Sequence, residues 1–256
     1  MKTLMAIMKK EWMEQIRSSR LMILGLIFLA VGIMNPFLAK LMPWVMEIMA
    51  ETMEESGLVV VEVKVDAMSS WTQFYKNVPI ALIAFVLLQS NIFTKEYQSG
   101  TLILALTKGL ERYKVVLAKS IVLISTWTVG YWLCYGVTYV YNAYFWDNYI
   151  ASHLGMAAVY MWLFGIWVVV LMTLFSVMSS SNSMVLLGTG GVFFAVYLLS
   201  LIPKLKEYMP TQLMNGMNLL MKATEPGDYT KALIVAGVSM IVSFIISIPL
   251  FNKRRL

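Results

Sequence analysis

The sequence predicts an all-α integral membrane protein with six transmembrane helices. An N-terminal amphipathic helix lies in the interface, a second short one follows the second span, and both termini are cytoplasmic. Three observations carry this. Of the 256 residues, 59% are hydrophobic and only 13% charged, with a mean hydropathy of +0.73. A soluble domain carries roughly 25% charged residues, so lipid must solvate this chain. Six stretches are long and apolar enough to span, and thirteen of the 20 Lys and Arg residues gather in three segments that would share one side.

Residues 1–20 are too polar to be a span and show no small-x-small cleavage pattern of a signal peptide. Leu4, Met8, Trp12 and Ile16 recur every fourth residue, while Lys9, Lys10, Glu14 and Arg17 lie mostly away from them. Such a helix rests in the headgroup layer, either as an anchor or as an elbow that passes motion into the first span. The spans follow at about 21–42, 78–94, 115–141, 156–178, 184–203 and 232–251. About 20 residues at 1.5 Å each cross the hydrocarbon core, and backbone in lipid must pair internally, so these are helices. Pro36 in the first span frees the carbonyl of Gly32, which predicts a kink, and Lys40 can snorkel outward.

Orientation follows the cations. Lys2, Lys9, Lys10, Arg17 and Arg20 precede the first span. Lys95, Lys108, Arg112, Lys114 and Lys119 lie between the second and third, and Lys253, Arg254 and Arg255 close the chain. All three sets belong inside. The segments 43–77 and 204–231 then lie outside. The first carries Lys64 and Lys76 against Glu47, Glu51, Glu54, Glu55, Glu62 and Asp66, and its "VVVEVKVD" alternates weakly as a strand would. The second contains "MPTQLMNGMNLLMK", which reads as one re-entrant or interfacial helix. Tyr131, Trp132, Tyr135, Tyr139, Tyr141, Tyr144, Trp146 and Tyr149 gather toward the outer end of the third span, as an interfacial belt or a stacking site. The net charge of +6 is read as topology signal and not as a nucleic-acid footprint.

Much chemistry is excluded. Cys134 is the single cysteine and His153 the single histidine, so neither a disulfide nor a Cys/His metal cluster is available. No ionisable residue lies mid-span, where a proton relay would place one; Gln89 and Asn91 are expected to bond across helices. "GTGG" (188–191) lacks the Lys-Ser/Thr of a phosphate loop and lies inside a span, where it suits close packing. A chain without its own engine must receive free energy from another polypeptide if it moves anything uphill.

The segment 95–112 is too short to span. Glu96 to Thr107 can form about three helical turns, with Leu102, Leu106 and Leu110 on one stripe and charges at its flanks. Gly100 permits a bend. By itself this reads as an interfacial helix with topogenic cations or as a docking element.

Here the chain resembles the membrane permease subunits of bacterial type-2 ABC exporters. Glu96, Gly100, Thr101, Leu102, Leu106, Arg112 and Lys119 are similar to the first cytoplasmic loop of that family. "KKEWMEQIRSSRLMI", with Lys10, Glu11, Trp12 and Arg17, is similar to its elbow helix, and "WTQFYKN" (71–77) is also familiar from it. Gly109 departs from the proline that many relatives carry after the loop helix. The resemblance implies one transmembrane domain over 1–256 in the bacterial plasma membrane, paired with a second permease subunit, identical or not. A separate ABC ATPase subunit, holding ATP and Mg2+, would dock on 95–112. No catalytic residue, metal or cofactor is implied in this chain. Glu96, Gly100, Thr101, Leu102, Leu106 and Arg112 would form the coupling element. Export would be of a cargo that the sequence does not name; the 21 methionines suit an amphiphilic peptide or lipid and equally a lipid-facing surface. The rival reading is an ATP-independent channel or secondary carrier.

Overall fold

The chain was analysed as a computed structural model that describes residues 2–54, 65–102, 107 and 110–253; every regular element among these residues is helical. The helices are α1 (Lys2–Arg17), α2 (Arg20–Glu54), α3 (Ala67–Gln89), α4 (Thr94–Gln98) and α5 (Arg112–Phe145), then α6 (Leu154–Met178), α7 (Asn182–Ser200), α8 (Pro203–Lys206), α9 (Gly216–Leu220) and α10 (Thr230–Lys253). Six of them, α2, α3, α5, α6, α7 and α10, are long and apolar enough to cross a membrane. The protein is an all-α membrane protein.

Several boundaries differ from those expected. The first span does not give way to a loop at residue 42: α2 continues through Pro36 and Pro43 to Glu54. At 35 residues it is about 52 Å long, well beyond the hydrocarbon thickness. The second membrane helix begins at Ala67 and not near 78, so "WTQFYKN" is helical. Asp66 caps its start, accepting from the Ser69 amide at 3.0 Å and the Ser69 hydroxyl at 3.2 Å. Of the alternating "VVVEVKVD", residues 59–64 lie outside the described ones, and Val65 and Asp66 are not in a strand. "MPTQLMNGMNLLMK" is not one helix. It is a 3-10 turn at Pro210–Met214 followed by α9, broken at Asn215. Pro210 to Leu213, Gly216, Leu219 and Leu220 are buried, so the segment turns inward against α6, α3 and α10.

Pro36 shows how the bundle repairs its own breaks. The Gly32 carbonyl that proline leaves free accepts the Thr138 hydroxyl at 3.0 Å. Thr138 in turn accepts from the Asn35 amide at 3.1 Å, and Asn77 donates to Asn35 at 2.9 Å. This chain of three buried or half-buried polar side chains stitches α2, α3 and α5 together where lipid offers no partner. Gly32 also lets the helices close: a Cβ there would lie 2.9 Å from the Cys134 carbonyl oxygen.

The core is an aromatic ladder centred on Trp127. Phe28, Phe85 and Tyr131 lie 5.8, 5.7 and 5.5 Å from it, centroid to centroid. Trp127 donates to the Trp162 carbonyl at 3.0 Å and lies over Gly165, where a Cβ would be 2.0 Å from its ring. The expected aromatic belt therefore divides. Tyr131 is fully buried, with its hydroxyl on the Ala158 carbonyl at 2.7 Å, and Trp132 and Tyr135 pack on the core. Tyr144 and Tyr149, 82% and 96% exposed, retain a surface position. Aromatics spread over successive helical positions face every direction, so only some can reach the headgroups.

Elements sort to two ends. The Gln98 amide lies 3.4 Å from the Ser180 carbonyl oxygen, and Arg112 donates to the carbonyls of Phe251 and Asn252 at 2.8 and 2.9 Å. That places α4, the start of α5, the α6–α7 turn and the end of α10 together. At the opposite end, Trp71 donates to Asn148 at 3.0 Å, and the Ser152 amide to the Leu220 carbonyl at 3.2 Å. Wide apolar faces on α2, α7 and α10 point outward, among them Phe37, Trp44, Leu187, Phe194, Ile241 and Ile245.

Candidate functional site

The site grows from two short pieces of sequence that flank the second membrane helix. In α1, the side turned to the protein is not the stripe of Leu4, Met8, Trp12 and Ile16. Ile16 is 63% exposed and Trp12 half-buried, whereas Glu11 and Gln15 are buried. An apolar stripe is equally at ease in lipid, so it does not choose the protein; a carboxylate and a carboxamide do, because only the protein offers them partners. After Gln89 the chain turns through Ser90–Phe93 and enters α4, which carries Glu96 inward. α4 stops after Gln98 because Gly100 adopts a left-handed φ of 68°, with its amide on the Tyr97 carbonyl at 3.3 Å. The continuous helix expected over Glu96–Thr107 is thus broken at Gly100. Thr101 is exposed just beyond it, Leu102 is buried in the core, and Leu106 lies outside the described residues.

The third contribution comes from α5. Lys119, 1% exposed, donates to Glu11 at 2.8 Å and to the Ile92 carbonyl at 3.0 Å and forms an ion pair with Glu96 at 3.1 Å. Its ammonium lies 5.4 Å from the centre of the Phe93 ring. Lys10 approaches the same two carboxylates from the solvent side, binding Glu96 and, at 3.1 Å, Glu11. Each carboxylate gives one oxygen to each lysine. Glu14 extends the cluster, pairing with Lys10 at 3.7 Å and Lys95 at 3.0 Å. Three acids and three lysines balance. Beside them Gln15 and Gln89 exchange amide hydrogen bonds at 2.8 and 3.0 Å, both side chains buried.

The electrostatics follow from this contact set. Burial pulls the Lys10 ammonium toward neutrality, but its hydrogen bond to Glu96 and the charges of Glu11 and Glu96 win, holding it above the ordinary lysine range. Burial pushes Glu14 up, but its hydrogen bond to Lys95 and the charge of Lys10 prevail, leaving it below the ordinary carboxylate range. Glu11, Glu14 and Glu96 each present an oxygen within 4.8 Å of the others, a spacing a cation could bridge. Lys10, Lys95 and Lys119 already neutralise them, and the arrangement acts as a joint between α1, α4 and α5.

Glu96, expected in the coupling element, therefore meets Lys10 and Glu11, expected in the elbow helix, in one cluster. Trp12 lies on α1 outside it, and Arg17 is in the last turn, where its charge suits the helix C-terminus. Arg112 holds the end of α10 as described above. Sequence reasoning missed Glu14 and Gln15 as docking groups, and it read Lys119 as a topology signal and a part of the loop's resemblance but not as an ion-pair partner. The available clue was its place two turns inside an apolar helix.

A search of curated proteins found no match. The family described as "ABC-2 family transporter protein" matches residues 5–256. The chain belongs to the ABC-2 transporter family, as a membrane permease.

Proposed function

We propose that the chain is the permease subunit of an ATP-driven exporter and that its 95–112 segment receives the work of a separate ABC ATPase subunit. The carrying observation is the burial of Glu96 between Lys119 and Lys10. A segment tied in this way cannot shift without moving α1 and α5. Gly100, Thr101 and Leu106 would be what the ATPase presses on, and Glu96, Leu102 and Arg112 would pass that push to the bundle. Lys10 and Glu11 make α1 an elbow and not merely an anchor, with Trp12 on the apolar stripe and Arg17 exposed in the last turn. The cluster end is then cytoplasmic, in keeping with the cations gathered there.

ATP and Mg2+ would be bound by the partner, and ATP would act through different affinities for inward- and outward-facing states. The outward apolar faces of α2, α7 and α10 suit lipid and a second permease subunit in a bacterial plasma membrane. An amphiphilic cargo, peptide or lipid, fits the apolar interior. The test is Leu106→Asp. It should insert normally and lose the copurifying ATPase; wild-type recovery of that ATPase refutes the docking assignment. Transport by the purified chain alone would instead favour a channel or secondary carrier.

A further inference from the structure

The aromatic residues near the end of α5 do not all serve as a belt, because several of them wall a cavity. A pocket of about 540 Å³ lies at the end away from the ion cluster, lined by Tyr135, Tyr139, Trp146 and Tyr149 together with Asp147 and Asn148. Two of these rings continue a column. Trp71 lies 5.3 Å from Tyr135 at 33°, and Tyr135 lies 6.1 Å from Tyr139 at 28°. Tyr139, 42% exposed, stacks on Tyr135 through one face and lines the pocket. The turn that closes the pocket is fixed to its surroundings. Asn148 donates to the Tyr139 carbonyl at 3.1 Å and accepts from the Trp71 indole at 3.0 Å. Asp147 accepts from the Tyr149 amide at 2.9 Å. The carboxylate is therefore held on a turn tied to both α3 and α5 before anything binds.

We infer that this pocket binds a methylated ammonium group of the kind choline carries, either free or on a lipid head group. Neither part of the pocket would select a ligand alone, since exposed acids and exposed rings both occur elsewhere on the chain. Their meeting in one cavity does. Asp147 is exposed, is the only charged residue in the lining, and forms no ion pair among the described residues. It disfavours an anion. A calcium or magnesium ion would need several oxygen ligands, and the lining brings a single carboxylate. A neutral hydrocarbon gains nothing from Asp147. A methylated ammonium uses both parts: its methyl groups and charge lie against ring faces, and the carboxylate balances the charge. α5 ends and α6 begins beside the pocket, so their dipoles oppose and Asp147 sets the sign. The site stands at the far end of the molecule from the 95–112 segment and does not rest on the exporter reading.

The experiment uses the full chain, without ATPase, in nanodiscs of digalactosyldiacylglycerol, a neutral lipid that carries no ammonium. Two photoactivatable probes are compared, a diazirine-bearing trimethylammonium ion and its tert-butyl counterpart, equal in shape and uncharged. Crosslinks are mapped by peptide mass spectrometry and scaled to labelling elsewhere on the chain. The ammonium probe should label residues 135–155 about tenfold more than its counterpart. Asp147→Asn keeps an oxygen for the Tyr149 amide and should cut that labelling about threefold. Tyr139→Leu should cut it about fivefold, and Tyr139→Phe, which keeps the ring, should not. Phosphatidylcholine placed in the disc, and not phosphatidylglycerol, should displace the probe if the ligand is a lipid head group; displacement by dissolved choline alone assigns the free ion. Equal labelling by the two probes, indifference to Asp147→Asn or to Tyr139→Leu, or displacement by neither choline form would each overturn the assignment. None of these results bears on the Leu106→Asp test, so the two readings fail separately.

Discussion

Removing Lys119 is the sharpest perturbation of the proposed joint. Its ammonium is the only cation fully inside the cluster; Lys10 reaches the same carboxylates with a side chain 52% exposed. In Lys119→Met, Glu11 and Glu96 keep side chains that are 3% and 8% exposed and lose their inner counter-charge. Breaking one partner out of a buried pair costs about 3–5 kcal/mol, because the remaining charge stays desolvated. Here Lys10 survives on the solvent side, which argues for the lower part of that range. The assay is thermal unfolding of the purified chain in detergent. In parallel, ATPase activity of the reconstituted pair should fall out of step with transport. The control is Lys119→Met combined with Glu11→Gln and Glu96→Gln. It removes the orphaned charges along with the lysine and should recover most of the lost stability while leaving transport uncoupled. If Lys119→Met melts like wild type, the cluster is not what fastens α1 and α4 to α5. If the triple variant couples normally, the charges are not needed for transmission.

Two further outcomes can be checked. Glu14 is held below its ordinary value of 4.5, so its contribution is present above that value and lost as pH falls through the lowered one; Lys10 is held above 10.5, so its contribution is lost only as pH rises past that. Protection of the amides of residues 2–17, taken relative to their intrinsic exchange rate at each pH, should therefore stay high and flat between these limits and fall outside them; a transition near neutrality would contradict the assignment. Thr138→Val removes the hydroxyl that serves both Asn35 and the Gly32 carbonyl, and should lower stability by about 1–3 kcal/mol in thermal melts, more than valine's matching shape would suggest.

How much of this was legible can be argued residue by residue. The six spans were, because apolar length is imposed by the bilayer and survives any detail of packing. Their ends were not. "WTQFYKN" carries Lys76 and Asn77 and reads as too polar to span, yet Asn77 is drawn into the helix by Asn35, a partner 42 positions away. The break at Gly100 was half visible: glycine permits a bend, but that the bend would be used, with a φ of 68° ending α4 after a single turn, is not written in the residue type. Lys119 was the most informative residue misread. Cation counting gives every lysine near a span end the same meaning, whereas one two turns inside α5 must find acids. Those at its own end, Glu11 and Glu96, come from segments 108 and 23 residues away. Polar pairing across helices is the part of a membrane fold that linear periodicity does not encode.

The choice of charge over oil for this joint has a physical reason. In water, burying an apolar stripe would hold α1 to the bundle. In a bilayer, Leu4, Met8 and Ile16 gain almost nothing by leaving lipid for protein, so hydrophobicity fixes the depth of α1 but not its docking. Only the contacts that lipid cannot supply distinguish docked from undocked: the buried ones are Glu11 with Lys119 and Gln15 with Gln89, and Lys10 with Glu96 and Glu14 with Lys95 flank them on the solvent side. It follows that Glu11→Leu/Gln15→Leu, which makes α1 more apolar, should loosen it. Insertion and membrane depth would be kept, while hydrogen exchange in residues 2–17 would rise toward that of an interfacial helix without tertiary partners. If instead the more apolar α1 docks as tightly as before, packing and not pairing holds the elbow, and the route from the 95–112 segment into α5 would have to run through Leu102 and the core it joins.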